Sequence, residues 1–225
     1  MIPKVLLISI LFLSSFTIYA QRNSNVQNNR LGIQGKYSML SLDTDNFNTS
    51  SGEGFTAGFT TRGAFYNNFD LIFGVDFFQS DLGIAAKPTL ASTAVEDLKY
   101  KIIGAQVNIL ASYLIAGENF TIEAGPVLMI NSKMQLDDSG SNNYIIDGYT
   151  NLKAEEIEEI SRFNVNALVG LSAGFPGFRA TVNYQYGLLN TLSRLENEDL
   201  DQQDPAATDF KGNLGIISAG LVIYL

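Results

Sequence analysis

The sequence predicts an all-β fold, an eight-stranded antiparallel up-and-down barrel, on three observations. Apolar side chains recur at every second position in eight stretches, short and long connections alternate between them, and the alternate face is polar but poor in charge. A period of two places successive side chains on opposite faces of a strand.

The first stretch sets Leu31, Ile33, Tyr37 and Met39 against Gln34, Lys36 and Ser38. The second sets Phe55, Ala57, Phe59, Gly63 and Phe65 against Thr56, Thr60 and Arg62, and the third sets Leu71, Phe73, Val75 and Phe77 against Gly74, Asp76 and Ser80. Ile72 and Phe78 fall on the polar side of the third. In the fourth, Ile103, Ala105, Val107, Ile109, Ala111 and Tyr113 oppose Gln106, Asn108 and Ser112; Tyr100 and Ile102 are out of phase, which predicts a bulge near Ile103. The fifth runs from Phe120 to Leu128 around Thr121 and Glu123. Residues 163–174, then Phe178 to Tyr186 around Arg179, Thr181, Asn183 and Gln185, give two more, and the last runs from Phe210 to the terminus.

Asn67-Asn68, Ala116-Gly117-Glu118-Asn119 and Phe175-Pro176-Gly177 are turn chemistry, whereas the connections over 42–53, 81–97, 131–161 and 190–209 are long. Short turns at one end and long loops at the other are the layout of a transmembrane barrel of the outer-membrane kind. Its polar face, largely Ser, Thr, Asn, Gln and Gly, reads as enclosed, because a face in bulk water is ordinarily rich in Lys and Glu. Aromatic residues crowd the strand ends in two bands, as they do at bilayer interfaces. All but four of the 23 carboxylates (Asp70, Asp76, Glu118 and Glu123) fall in the long connections, away from the zone a hydrocarbon core would occupy. Loops are polar in soluble folds too, which accounts for part of that segregation.

Residues 1–20 read as a cleaved signal peptide, with Lys4, an apolar run from Val5 to Leu13, and Ile18-Tyr19-Ala20 before Gln21. A membrane-spanning helix would need roughly 20 apolar residues, and Ser9, Ser14, Ser15 and Thr17 interrupt the run. A short polar segment, 21–29, then precedes a barrel domain over 30–225. The formal charge of −9 excludes nucleic acid as a natural partner. Neither cysteine nor histidine occurs, so disulfides, thiolate metal sites and histidine-based catalysis are excluded. We therefore expect no enzyme, no cofactor and no metal site.

Gly170-Leu171-Ser172-Ala173-Gly174 matches the G-x-S-x-G string of serine hydrolases, but it lies inside a strand in a chain without histidine. The run from Lys153 to Ile160 predicts a short helix. Glu196, Glu198, Asp199, Asp201 and Asp204 form an acidic run best read as solvated, although oxygen-ligand cations would suit it chemically.

Leu31-Gly32-Ile33-Gln34-Gly35, Glu123-Ala124-Gly125-Pro126, Tyr184-Gln185-Tyr186-Gly187-Leu188 and Ala20-Gln21 occur in an order and spacing that resemble the PorT-like outer-membrane β-barrel family of Bacteroidota. The likeness spans nearly all of residues 30–225. It implies an outer-membrane location and a barrel fold; the terminal Ile223-Tyr224-Leu225 departs from the phenylalanine on which such barrels usually close.

Two sets of residues stand out. Lys36, Arg62 and Arg179 are expected to meet Asp76 and Glu123 inside, forming a structural plug of near-balanced charge. Tyr144, Ile145, Ile146, Tyr149 and Leu152 are expected to form an external contact loop, since exposed apolar clusters mark interaction sites. The expected role is structural or interactive at the cell envelope, as a monomeric barrel in contact with outer-membrane lipid, lipopolysaccharide and envelope proteins. A soluble lipocalin-like barrel carrying a small apolar ligand, or a narrow channel or secretion-machinery component, remain the alternatives.

Overall fold

The computed structural model describes residues 29–116 and 119–225. Residues 1–20, read from the sequence as a signal peptide, residues 21–28, Gly117 and Glu118 lie outside the described residues.

Eight strands follow the predicted stretches: β1 (Arg30–Asp43), β2 (Thr49–Tyr66), β3 (Phe69–Lys87), β4 (Glu96–Ala116), β5 (Phe120–Asn131), β8 (Phe163–Phe175), β9 (Phe178–Gly187) and β10 (Asn213–Tyr224). Two short ones, β6 (Gln135–Leu136) and β7 (Ile145–Ile146), are added in the long 131–161 connection. Each long strand pairs antiparallel with its chain neighbours, and β1 pairs with β10 from Gly32↔Tyr224 to Asp43↔Asn213, so the sheet closes into a ring of eight. Closure leaves no free edge around the circumference.

The alternation resolves as the sequence predicts, with the apolar set outside. Phe59 is 58% exposed and Ile109 46%, whereas Gln34 on the inner face is 6% exposed. The outward apolar residues form a continuous belt, running from Leu31 to Met39 on β1, Phe55 to Phe65 on β2 and Ile103 to Ile115 on β4. Those stretches are long enough to supply the ~9–11 residues that a tilted strand needs to cross a hydrocarbon core. Above the belt the outer face turns polar at Glu53, Gln79, Lys101 and Ser132.

Tyr100 and Ile102 do not sit on a bulge. The β3–β4 register runs unbroken from Leu82↔Tyr100 through Gln79↔Ile103, and the irregularities lie instead near Gly54, Tyr66 and Ala116. Their phase is that of the inner face, which changes from polar to apolar above the belt. Phe78, Ile102 and Leu40 are buried for the same reason.

The strands also outrun the expected boundaries. β3 extends through residues 81–87, β4 begins at Glu96, and β2 begins at Thr49, so a three-stranded wall rises above the belt on one side. Its inner face, with Leu82, Ile84, Leu98 and Tyr100, cannot stay in water. It is covered by residues 44–48, 132–162 and 188–212, which fold over the barrel mouth as a cap. Leu152, Ile157, Leu192 and Phe210 close this core, with Phe47 stacked on Phe210 at 5.7 Å between ring centroids. Each such side chain contributes about 1.5–3 kcal/mol when fully buried.

The helix expected over 153–160 is a single 3-10 turn, Ala154–Ile157, held at its start by the Glu156 carboxylate accepting from the Lys153 N–H at 2.8 Å. The last strand begins at Asn213 rather than Phe210, which belongs to the cap.

Candidate functional site

The inner face of a ring this narrow holds a single layer of side chains. At the short-turn end Arg62, from β2, reaches across the lumen. It makes ion pairs with Glu123 of β5 and with Asp70 of β3 (3.1 Å), and donates to Ser112 Oγ (2.9 Å) and Tyr224 Oη (3.3 Å). Four strands are thereby tied to one guanidinium. Arg179, from β9, donates from Nε to Ser172 Oγ at 2.7 Å and from Nη2 to Thr121 Oγ1 at 3.2 Å; the Thr121 hydroxyl donates in turn to Glu123 at 3.3 Å.

Asp76 lies further up and is held by amides rather than by cations. It accepts from Gln34 (2.5 Å), Gln106 (3.3 Å) and Asn108 (3.2 Å) and is fully buried. Glycine at 58 makes room for it, because a Cβ there would run into the Asp76 carboxylate and the Val75 carbonyl. Lys36 lies between these groups with Asp76 and Glu123 as the carboxylates it feels, and makes no ion pair at contact distance among the described residues. The five expected interior charges thus share the lumen, and Arg62 and Glu123 among them pair directly. Asp70, Ser112, Thr121, Ser172 and Tyr224 complete the network. Asp70 and Tyr224 could have been found from their inward phase, two residues from Ile72 and Val222.

Ser172, the serine of the hydrolase-like string, is buried within β8 and spent on Arg179, so the string here supplies a structural hydroxyl. The lumen is closed above this level. Two cavities beside Lys36 measure about 20 Å³ and about 10 Å³. The waist around them is lined by Thr60, Asn108, Thr181 and Asn183 together with the buried Ile72, Leu110, Leu168 and Val222, and cavities of this size leave no room for an organic ligand.

The expected contact loop is placed differently from the expectation. Ile146 and Leu152 have no exposed surface, and Tyr144, Ile145 and Tyr149 are half-buried. Their apolar surface is consumed by the wall of β3 and β4: Ile146 pairs with Ala86, and the Tyr149 hydroxyl donates to the Asn46 carbonyl at 3.0 Å. The segment is core, and the premise of an exposed apolar cluster is corrected.

The two longest loops are latched by Asp204. This buried carboxylate accepts from the Thr150 N–H (2.6 Å), the Thr150 hydroxyl (3.0 Å), the Asn151 N–H (2.9 Å) and the Ala206 N–H (3.0 Å). Burial pushes its carboxyl up, but those hydrogen bonds outweigh it and bring the pKa down to about 2. Exposed pairs Lys87–Asp147 (2.7 Å) and Lys101–Asp137 (2.9 Å) pin the cap to the wall, and each holds its aspartate below the usual carboxylate range. Among the described residues no group of three or more carboxylates is arranged to hold a metal ion.

No family model matches the chain and no curated protein is significantly similar to it. Solved structures with related strand arrangements include Neisserial surface protein A, at 14% identity over 88% of this chain and 100% of that one, with a TM-score of 0.49. The attachment invasion locus protein Ail of Yersinia pestis aligns at 15% identity over 88% and 99%, TM-score 0.47. The outer membrane protein OprG of Pseudomonas aeruginosa aligns at 10% identity over 89% and 97%, TM-score 0.44. None reaches 0.5, and the fold rests on the closed strand ring itself.

Proposed function

We propose that this chain is an outer-membrane β-barrel with no enzymatic role, a monomeric scaffold whose folded acidic cap faces the outside and meets envelope partners. One observation carries the reading: a closed ring wears its apolar side chains outward and its amides, hydroxyls and ion pairs inward, the inverse of a soluble barrel. A contiguous apolar belt of this extent would drive a soluble protein to aggregate. A closed ring is also the one sheet architecture that satisfies every backbone group in lipid. The long connections and their carboxylates lie at one end, which in such barrels is the external one. Lipid and lipopolysaccharide would contact the belt, export would use the signal peptide of residues 1–20, and the PorT-like resemblance fits the same location.

The test is a cysteine placed by substitution in a chain that naturally has none. In purified outer membranes a lipid-dissolved maleimide is expected to modify Ile109→Cys and Val182→Cys and to spare Asn108→Cys and Asn183→Cys. The folded protein should also migrate faster on gels before boiling than after. Recovery in the soluble fraction without detergent, or the reverse labelling pattern, would sink the reading.

A further inference from the structure

We infer that the waist of the barrel is a built hydration site, in which two ordered waters join the Lys36 ammonium to Thr181 and Asn183 of β9 in the lower cavity and to Ser38 of β1 in the upper one. The inference is independent of what the cap binds.

Lys36 Nζ has three donors and no acceptor at hydrogen-bond distance among the described residues, while Arg62, Asp76 and Glu123 around it are satisfied by other partners. It borders both waist cavities, and among the described residues no other side chain lines the two. Each has about the volume that one water centre occupies. Their walls carry buried polar atoms with no partner among the described residues. Thr181 Oγ1 and Asn183 Oδ1 face the lower cavity, and Ser38 Oγ the upper. These residues are at most 6% exposed. An unpartnered polar atom buried at this depth costs about 1–3 kcal/mol, so a chain carrying three around one ammonium requires something to join them.

Space for the site is made by the backbone. A Cβ at Gly220 would strike the Lys36 stem, and one at Gly170 would strike the Asn183 amide, so glycine at both positions lets those side chains lie against the wall. The identity of the occupant follows from donor count. Asn183 Oδ1 requires a donor, which a halide cannot supply. A water in the lower cavity can accept from Lys36 Nζ and donate to Asn183 Oδ1 beside Thr181, and one in the upper cavity can accept from Lys36 Nζ and meet Ser38 Oγ.

The test uses the refolded full-length mature barrel in detergent and as crystals. Crystals are expected to show one water in each cavity within 3.2 Å of Lys36 Nζ, and no bromide there after a bromide soak. In solution the Lys36 ammonium is expected to give a water cross-relaxation peak, lost in Lys36→Met. Because that variant alters a buried charge and could fail to fold, Thr181→Val serves as the second. It should fold, shown by unchanged heat-dependent gel mobility, and lose the lower water while the upper stays. Lys36 found bonded directly to Asp76 or Glu123 over dry cavities would overturn the proposal. Bromide bound at Lys36, or a Thr181→Val barrel that keeps both waters, would do the same.

Discussion

Arg62 is the side chain on which most of the lumen converges. Its removal by Arg62→Met strands the carboxylates of Glu123 and Asp70 inside the barrel, and breaking a buried pair from one side costs about 3–5 kcal/mol. Adding Glu123→Gln should recover part of that loss, because the stranded charge goes too. Urea unfolding of the four members of this cycle is the measurement; additive losses would show that the two groups act independently. Asp204 makes a second prediction. Its carboxyl is depressed from about 3.8 to about 2, so its contribution is complete above the unfolded value and disappears as pH falls through the folded one. Hydrogen-exchange protection of the Thr150 and Asn151 amides should hold above about pH 4 and decline toward pH 2. In Asp204→Asn it should be lower throughout and no longer follow that curve; a wild-type profile flat to pH 2 would contradict the latch.

At the scale of elements, belt and cap obey different rules. The eight long strands were legible because outward-facing and lumen-facing residues alternate with a period of two, and the turn at Asn67-Asn68 and the one around Pro176-Gly177 carried their own chemistry. The upper thirds of β2, β3 and β4 were not. There both the inner face and the covering loops are mixed, so Leu82, Ile84 and Tyr100 look like interruptions of a pattern until the cap is seen to cover them. The same limit explains Ile146 and Leu152. Apolar residues inside a long polar loop signal either a contact surface or a local core, and only tertiary structure decides between them. A folded cap makes a kinetic prediction: intact barrels should resist trypsin at Lys133 and Lys153. Leu152→Ala, a core truncation costing about 2–5 kcal/mol, should expose these bonds without altering gel mobility of the barrel itself. Rapid cleavage of the unaltered protein would mean that the cap is not a stable unit.

For the whole molecule, the two levels of the interior act in series. A packed waist carrying ion pairs and amides lies beneath an apolar lid, and an ion would have to pass both. Planar-bilayer recordings of the purified protein are therefore expected to lack stable openings, and a steady conductance would require a path that the packed lumen does not offer. The interior charges were legible as a group, since each stands in phase with hydroxyls and amides. Their pairing was not, because it depends on strand stagger: Arg62 meets Glu123 across the lumen, 61 residues away in sequence. No feature of composition encodes that distance.

The wall raised by β3 and β4 has one more consequence. It carries the hairpin loop 88–95 roughly 20–30 Å beyond the belt, and that octet contains no ionisable side chain in a region otherwise dense with carboxylates. Antibodies, phage tail fibres or an inserted peptide tag would reach this turret before anything else on the molecule. A tag spliced between Ser92 and Thr93 should be displayed on living cells while the structure beneath it assembles unchanged.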